Sequence, residues 1–243
     1  MRREVWDELA RALEAEELVA VATVVAGPGS GRQLLLRPAA AGPGGLGSAE
    51  LDSAAERLAG EAFAAFASRR ATLPAAGEEV EIFIDVQPPP PRLIIVGAVH
   101  VAIPLIGFAA RLGFRTVVID PRSAFATAER FAEADELICE WPSEAMAVTG
   151  LNEATYVAIL SHDLKIDLPA LETALRSPVR YVGALGSRKT HAKRIAALEA
   201  SGFSAEEIGR IHSPIGLDIG GGRRAEEIAL SVIAEVVKAS HGG

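Results

Sequence analysis

The sequence predicts an α/β protein, with a C-terminal Rossmann-like parallel sheet domain preceded by a smaller α/β N-terminal domain. Three observations predict this fold. The four prolines of "QPPPPR" separate two parts of different composition. After them, short apolar segments alternate with helical patterns, which is typical of a parallel sheet covered on both faces. The first apolar segment runs into a glycine turn and a helix, the way a dinucleotide-binding βαβ unit begins.

Bulk composition limits the classes of function. The chain has 243 residues, of which 49% are hydrophobic, so it can bury a substantial core. Its 24 Lys and Arg against 32 Asp and Glu give a formal net charge of -8. Such a surface has no general attraction for nucleic acid or for an anionic membrane, although a local basic pocket for a phosphate stays open. We therefore expect neither nucleic acid nor membrane as a partner.

The N-terminus and the single cysteine indicate the compartment. The opening stretch "MRREVWDELARALEAEELVAVATVV" is charged and amphipathic and lacks the apolar core of a secretion signal. No apolar run reaches the ~20 residues needed to cross a bilayer, so we expect a cytoplasmic protein. Cys139 is the only cysteine, which excludes an intrachain disulfide and a cysteine-based metal cluster. Because Cys139 lies in an apolar strand pattern, we expect its thiol to be buried and inert.

Residues 1–87 form the predicted small domain. Apolar residues at helical spacing predict a first helix over Glu4–Glu17. Two glycine-rich loops, "AGPGSGR" and "AAAGPGGLGS", punctuate the part that follows. The other predicted elements are strands at Leu18–Val25, Gln33–Arg37 and Glu79–Val86, and an Ala-rich helix over Ala49–Arg69.

Residues 88–92 form a stiff, proline-rich linker, because consecutive prolines can continue neither a helix nor a central strand. Residues 93–243 form the predicted Rossmann-like domain, which ends in a helix over Arg224–Ala239. In such a fold ligands bind beyond the carboxyl ends of the strands. The predicted strands are Leu93–Val96, Thr116–Ile119, Glu136–Cys139, Tyr156–Leu160 and Arg180–Val182.

The turn after the first of these strands is the first candidate site. Gly97 takes the first glycine position of a dinucleotide fingerprint, and Asp120 follows at the spacing of a carboxylate that binds a ribose hydroxyl. Val99 stands where the second glycine is expected, and a β-branched side chain there obstructs a pyrophosphate. His100 could face an anion at the helix N-terminus or pack locally. Conventional NAD binding is therefore not expected.

Further candidates follow the later strands. "ILSHD" places His162 at a strand end, either as a ligand group or as a solvated turn residue. In "YVGALGSRKTHAKRI", Ser187 could cap a helix while Arg188 and Lys189 add positive charge, which makes an anion seat or a solvated basic face. The run Gly220–Gly222 suggests backbone that approaches something closely.

These segments together resemble one family. "GAVHVA", "GFRTVVIDPRSAFATAERF", "SHDLKIDLPAL", "YVGALGSRKTHAKRI", "IHSPIGLDIGGG" and "AEEIALSVIAEVV" occur in the order typical of the XdhC/CoxI family of xanthine dehydrogenase accessory factors. The N-terminal segments "ATVVAGPGSGRQLLLR" and "GGLGSAELD" are similar to the smaller domain of that family.

The resemblance implies an accessory chaperone rather than a catalyst. Such a protein binds molybdopterin cofactor, in a mono- or dinucleotide form, and assists its sulfuration and its insertion into a molybdenum hydroxylase such as xanthine dehydrogenase. The implied partners are the molybdenum hydroxylase apoenzyme and a cysteine desulfurase, and an Ala-rich chain favours a homodimer. We assign no catalytic residue and no metal ligand. The cofactor-binding candidates are Gly97, Ala98, His100, Asp120, His162, Ser187, Arg188, Lys189, His212 and Asp218.

Two departures from the family pattern keep alternatives open. Val99 replaces the second glycine of the usual Gly-Ala-Gly-His turn. Many members carry a cysteine after paired glycines in the N-terminal domain, and Glu50 stands near that position here. A carboxylate is a hard oxygen ligand where a thiolate would be soft. The alternatives are an NAD(P)-dependent oxidoreductase, which Val99 disfavours, and a scaffold of the maturation complex that binds no cofactor.

Overall fold

The computed structural model describes residues 2–75, 77–220 and 224–241. The chain divides into two compact units, Met1–Pro89 and Pro90–His241. Among the helices of the described residues, none is long and apolar enough to cross a membrane.

The described residues of the N-terminal unit form an antiparallel sheet and two helices. The elements are α1 Arg3–Glu14, β1 Val19–Ala26, β2 Gln33–Arg37, β3 Ala40–Gly44, α2 Ala49–Ala65, β4 Arg69–Ala75 and β5 Glu78–Gln87. The strand order is β3-β2-β1-β5-β4. The side chains of the long central strand β1 alternate between two cores: Ala20 and Ala22 face the helix α2, while Val19 and Val21 face the helix α1.

Two strands of this unit were not predicted. β3 is made of Ala, Gly and Pro, so it carries no apolar alternation, and the sequence suggested a loop there. β4 begins at Arg69, where a helix was predicted to end. That helix in fact stops at Ala65, because Phe66 adopts a left-handed conformation with φ 49°. Both strands lie at sheet edges, where sequence signals are weakest.

The C-terminal unit is a six-stranded parallel sheet, which confirms the predicted Rossmann-like class. The strands are β6 Arg92–Val96, β7 Arg115–Ile119, β8 Glu136–Ile138, β9 Thr155–Ile159, β10 Tyr181–Ala184 and β11 Ile211–His212. The strand order is β11-β10-β9-β6-β7-β8, so the order reverses between β6 and β9. The helices are α3 Ala102–Arg111, α4 Pro142–Thr149, α5 Leu164–Leu175, α6 Arg188–Ala200, α7 Ala205–Gly209 and α8 Ala225–Ser240.

Both faces of this sheet are covered by helices. In β6, Ile94 and Val96 face a core shared with α4, α5 and α6, while Leu93 and Ile95 face a core shared with α3 and α8. This burial on both faces explains the continuous apolar strands of the sequence. The short strand β11 was not predicted, since two residues are too few to show a pattern.

The expectation of a buried thiol is wrong. The strand β8 ends at Ile138, and Cys139 lies just beyond it with an exposed side chain. Its Sγ is 3.9 Å from the carbonyl oxygen of Pro121. The apolar pattern extended one residue too far, because the chain leaves the sheet before Cys139.

Candidate functional site

The carboxyl edge of the parallel sheet brings several predicted residues to one place. The turns after β6, β7, β9 and β10 all emerge at this edge, since the strands run in one direction. The strand order reverses between β6 and β9, and in such folds ligands bind in the crevice at the point of reversal.

The turn after β6 is held to the end of β7. The backbone amide of Ala98 donates a 2.8 Å hydrogen bond to Asp120 Oδ2, and both residues are fully buried. The carbonyl oxygen of Ala98 accepts a 3.2 Å hydrogen bond from Arg130 Nη1. The structure therefore brings Gly97, Ala98 and Asp120 together at the ends of β6 and β7.

The carboxylate of Asp120 is fully engaged inside the protein. It also accepts hydrogen bonds from the Arg122 amide at 2.9 Å, from Nε at 2.9 Å and from Nη2 at 2.7 Å. Burial alone would raise the pKa of Asp120, but the bonds from Arg122 and Ala98 outweigh it and lower that pKa. A ribose hydroxyl would have to displace one of these donors.

Val99 is accommodated without strain. It does not adopt a positive φ, its amide donates to the Gly97 carbonyl at 2.9 Å, and its side chain packs against the core beneath α3. His100 is exposed and precedes the first residue of α3 by two positions. The N-cap residue of α3 is Val101, whose side chain makes no capping hydrogen bond.

Gly97 is the residue that lets this turn lie against β9. It has φ 111°, and a Cβ there would lie 2.8 Å from the amide nitrogen of Ser161 and 2.9 Å from its Cα. Any side chain would therefore meet backbone. The glycine sets the close approach of the two turns on either side of the crevice.

Beside this contact lies a buried polar network that the sequence did not reveal. Ser161 donates to Asp167 Oδ1, and Arg194 pairs with Asp167 through Nε, at 3.0 Å, and through Nη2. Arg194 and Asp167 are fully buried. Charged residues on helices are usually solvated. No local sequence pattern points to it, because Asp167 and Arg194 lie 27 positions apart on different helices.

The turn from β10 into α6 carries the predicted basic cluster. Ser187 is the N-cap residue of α6, and its Oγ accepts from the Thr190 amide at 3.2 Å. Arg188 and Lys189 follow with exposed side chains. Two buried nitrogen atoms of α6 have no hydrogen-bond partner among the described residues: Arg194 Nη1 and His191 Nδ1.

None of the remaining candidates hydrogen-bonds to Gly97, Ala98 or Asp120 among the described residues. His162 follows Ser161 at the edge, exposed and with φ 62°. His212 stacks on the Tyr181 ring, with centroids 4.8 Å apart, and its Nδ1 lies 3.3 Å from Glu235 Oε1. Asp218 accepts from the Gly220 amide at 2.9 Å. Gly221 and Gly222 of the glycine run lie outside the described residues.

Glu235 ties His212 to a buried tyrosine. It accepts hydrogen bonds from the Tyr181 hydroxyl and, at 2.7 Å, from the Gly216 amide. Burial, together with the bond to Glu235, raises the pKa of Tyr181, which therefore stays protonated. These contacts fix the segment after β11 onto α8.

The N-terminal unit contains a separate cavity of about 620 Å³ that was also missed. It lies where the two glycine-rich loops meet the N-terminus of α2, and its lining includes Arg32, Leu46 and Glu50. A Cβ at Gly47 would lie 2.7 Å from Arg32 Nη1, so this glycine makes room for the guanidinium. The sequence showed both loops, but not that they converge on Arg32.

Comparison with known proteins identifies the lineage of this arrangement. The family model described as the XdhC Rossmann domain matches residues 93–236, more than half of the chain. The chain belongs to the XdhC family. The resemblance inferred from the motifs is thereby confirmed.

Two curated relatives share sequence with this XdhC chain over part of their length. It is 31% identical over 166 residues to a protein of Bacillus subtilis named as a probable xanthine dehydrogenase subunit, covering 68% of this chain and 48% of that protein. It is 41% identical over 92 residues to the molybdenum cofactor insertion chaperone PaoD of Escherichia coli, covering 38% of this chain and 29% of PaoD. The chain thus spans less than half the length of either relative.

A solved structure shares the fold. The crystal structure of a xanthine dehydrogenase from Bacillus halodurans, at 2.80 Å resolution, aligns with a TM-score of 0.55. The alignment covers 98% of this chain and 96% of that chain, at 18% sequence identity. At this identity the likeness establishes the two-part α/β fold alone.

Proposed function

We propose that this XdhC chain is a chaperone that binds molybdopterin cofactor, supports its sulfuration and passes it to a molybdenum hydroxylase apoenzyme. The observation that carries the proposal is the 41% identity to a relative named as a molybdenum cofactor insertion chaperone. The cofactor is cargo here, so the protein needs no turnover of its own. It needs only to bind the cofactor until the apoenzyme offers better contacts.

The carboxyl edge of the C-terminal unit fits an anionic cargo. Exposed Arg188 and Lys189 follow the turn at Gly186, beside which the unpartnered Nη1 of Arg194 lies, and such groups suit the phosphate oxygens of the cofactor. Ser187 and the turn residues Gly97 and Ala98 border the same edge. Weaker contacts to the cofactor are proposed for the other candidates, which are His100, Asp120, His162, His212 and Asp218.

The partners and compartment follow from this role. We propose the molybdenum hydroxylase apoenzyme as the recipient, a cysteine desulfurase as the source of sulfur, and the cytoplasm as the place of transfer. A homodimer stays part of the proposal. Glu50, which lines the N-terminal cavity near the family's cysteine position, implies that this chain does not use a thiolate there.

An NAD(P)-dependent oxidoreductase is the less favoured alternative. A pyrophosphate binds a Rossmann turn through its backbone amides, and Asp120 already occupies the amide of Ala98. Val99 adds bulk beside that amide. We therefore expect weak binding of NAD and NADP at most.

The deciding experiment is a titration of the purified protein with molybdenum cofactor, with NAD and NADP as controls. Saturable cofactor binding without a response to NAD or NADP is the expected result. If none of the three binds, the chaperone role is wrong for this chain and a scaffold role replaces it. If NAD binds and the cofactor does not, the oxidoreductase hypothesis replaces it.

The variant Val99→Gly separates two accounts of the β6 turn. A gain of nucleotide affinity would show that the valine alone blocks an older dinucleotide site. We expect no gain, because Asp120 keeps the Ala98 amide occupied in the variant. The same titration measures both forms side by side.

A further inference from the structure

We propose that the turn from β10 into α6 is a phosphate-binding seat whose buried anchor is Arg194. The ligand class is a phosphate ester or pyrophosphate. The inference rests on the proposed function in one respect, since it assigns the phosphate end of the cofactor to this turn and away from the glycine turn after β6.

The pairing of the Arg194 side chain leaves one of its nitrogen atoms without a partner among the described residues. Its Nε and Nη2 are directed to Asp167, and Nη2 also donates to the Leu185 carbonyl at 2.9 Å. Its Nη1 is buried and has no partner among the described residues. A buried donor without an acceptor is costly, and native proteins seldom keep one without a reason. Nη1 is thus a charged donor whose hydrogen-bonding capacity is unused among the described residues.

The unpartnered Nη1 of Arg194 lies beside the turn at Gly186. Nη1 lies 3.2 Å from the place that a Cβ on Gly186 would occupy, directly under the turn that enters α6. Gly186 has φ 151° and carries no side chain to fill the gap. The same place lies 3.3 Å from Thr190 Cβ and 3.4 Å from its Cγ2, so the space that Gly186 leaves open is bounded by Thr190 and by the Arg194 guanidinium.

The start of α6 offers further donors. Ser187 Oγ accepts a hydrogen bond from the Thr190 amide, while the amides of Arg188 and Lys189 have no acceptor among residues 2–75, 77–220 and 224–241. The helix has 13 residues and no acidic residue in its first turn. Two cations at a helix N-terminus oppose the helix dipole, and a bound anion between them reverses this effect.

A second orphaned atom supports the seat. His191 Nδ1 is also buried and unpartnered among the described residues, one helical turn before Arg194. Burial, followed by the charge of Arg194, lowers the pKa of His191, so the imidazole is neutral at neutral pH. A neutral imidazole carries one N–H, which can serve as a donor without adding charge.

The competing seat, at the turn after β6, is already filled from within. Asp120 places a carboxylate on the Ala98 amide, where a ligand anion would have to bind. The C-terminal unit therefore has one such turn satisfied by its own anion and another, at α6, with donors left over. The phosphate is expected at α6.

The test uses inorganic pyrophosphate as the probe, titrated into the full chain and followed by calorimetry. We expect a saturable isotherm that weakens as salt rises. Lys189→Gln should weaken binding roughly three- to tenfold. Lys193→Gln removes the same charge from the same helix one turn further on, and should change affinity less than about twofold. Equal effects of the two variants, or no saturable isotherm, would overturn the seat.

A second variant tests the anchor while the fold is watched. Arg194→Lys keeps the positive charge opposite Asp167 but removes Nη1, and should weaken pyrophosphate binding by at least about tenfold. Its circular dichroism spectrum and unfolding midpoint show whether the unit is intact. An intact variant with wild-type affinity would overturn the role of Nη1.

Competition with molybdenum cofactor separates this inference from the proposed function. Pyrophosphate that displaces the cofactor supports both. A cofactor that binds but is not displaced by saturating pyrophosphate overturns the assignment of its phosphate to this turn and leaves the chaperone role standing. If pyrophosphate binds with the Lys189 dependence and the cofactor does not bind, the seat stands and the chaperone role fails. Inorganic phosphate and AMP, run in parallel, then show which phosphate compound the turn prefers.

Discussion

The carboxylate of Asp120 accepts a 2.8 Å hydrogen bond from the backbone amide of Ala98, across the ends of two neighbouring parallel strands. A spacing that suggests a ribose ligand thus serves, in this fold, to fasten the first turn of the C-terminal unit. The same carboxylate takes three donors from Arg122, so its hydrogen-bonding capacity is used. The turn is therefore held by hydrogen bonds within the protein, and a ligand at this place has to compete with the Asp120 carboxylate for the Ala98 amide.

Asp120→Asn should destabilise the C-terminal unit. The amide side chain cannot accept from all four donors, and the hydrogen bonds to the charged guanidinium of Arg122 are lost. We expect the free energy of unfolding to fall by about 1.5–3 kcal/mol. The loss is smaller than for a fully buried ion pair, because Arg122 is partly exposed and solvent screens its charge. Urea unfolding at neutral pH measures it. Asp218→Asn, which changes a carboxylate on a surface loop, should stay within about 0.5 kcal/mol of wild type; similar losses in both variants would contradict the prediction.

The difference between wild type and Asp120→Asn should also depend on pH. The pKa of Asp120 is lowered in the folded state despite its burial, so its contribution is present above the unfolded pKa near 3.8. It is lost as the pH falls through the folded pKa. The two unfolding curves should therefore converge in acid.

Gly97→Ala should be strongly destabilising. The new Cβ would lie 2.8 Å from the Ser161 amide nitrogen, at a φ that L residues rarely adopt. We expect a loss of at least about 2 kcal/mol. Gly209→Ala is the matched control in the same unit, since nothing lies within 4 Å of its added Cβ. It should be neutral or stabilising by up to about 1 kcal/mol. A tolerated Gly97→Ala would mean that the turn can move away from β9.

Asp167 and Arg194 should show strong coupling in a double-mutant cycle. Asp167→Leu or Arg194→Met alone leaves a buried charge unpaired, which costs about 3–5 kcal/mol. The double variant replaces the pair by apolar side chains and should lose at least about 2 kcal/mol less than the sum of the singles. Chemical denaturation of all four proteins measures this. Additive losses would show that the pair does not act as a unit.

His191 should make the stability of the protein fall in mild acid. Its folded pKa is lowered by burial and by Arg194 from the usual 6.5, so the unfolded chain takes up the proton first. Stability should therefore fall as the pH drops below 6.5 toward the folded pKa. Unfolding midpoints at about pH 7.5 and about pH 5.5 should differ less in His191→Gln than in wild type. His100→Gln controls for the loss of one imidazole at an exposed position.

Cys139 should react under native conditions. Because its side chain is exposed, a thiol reagent should label one cysteine per chain without denaturant, at a rate within about tenfold of that in denaturant. Absorbance of the released chromophore follows the reaction, and Cys139→Ser gives the blank. Protection of the thiol until unfolding would contradict the exposed position.

Much of the C-terminal fold could be predicted because its signals are local. Continuous apolar strands such as Leu93–Val96, separated by helical patterns, already require a parallel sheet with two covered faces. The glycine turn at Gly97 and the helix cap at Ser187 are likewise set by neighbouring residues. Edge strands β3 and β4 escaped, since pairing with a neighbour at a sheet edge decides them and their own side chains do not.

The site divides along the same line. By itself, the sequence determined the family, the alternation of strands and helices in the C-terminal unit and the turns that carry Gly97, Ser187 and the basic residues after it, because each rests on motifs and neighbouring residues. Only the tertiary structure decided that Asp120 holds the Ala98 amide, that Arg194 is buried against Asp167 with one donor left over, and that Cys139 faces solvent. These are contacts between residues distant in the chain, or depend on where a strand leaves the sheet, and only packing fixes them.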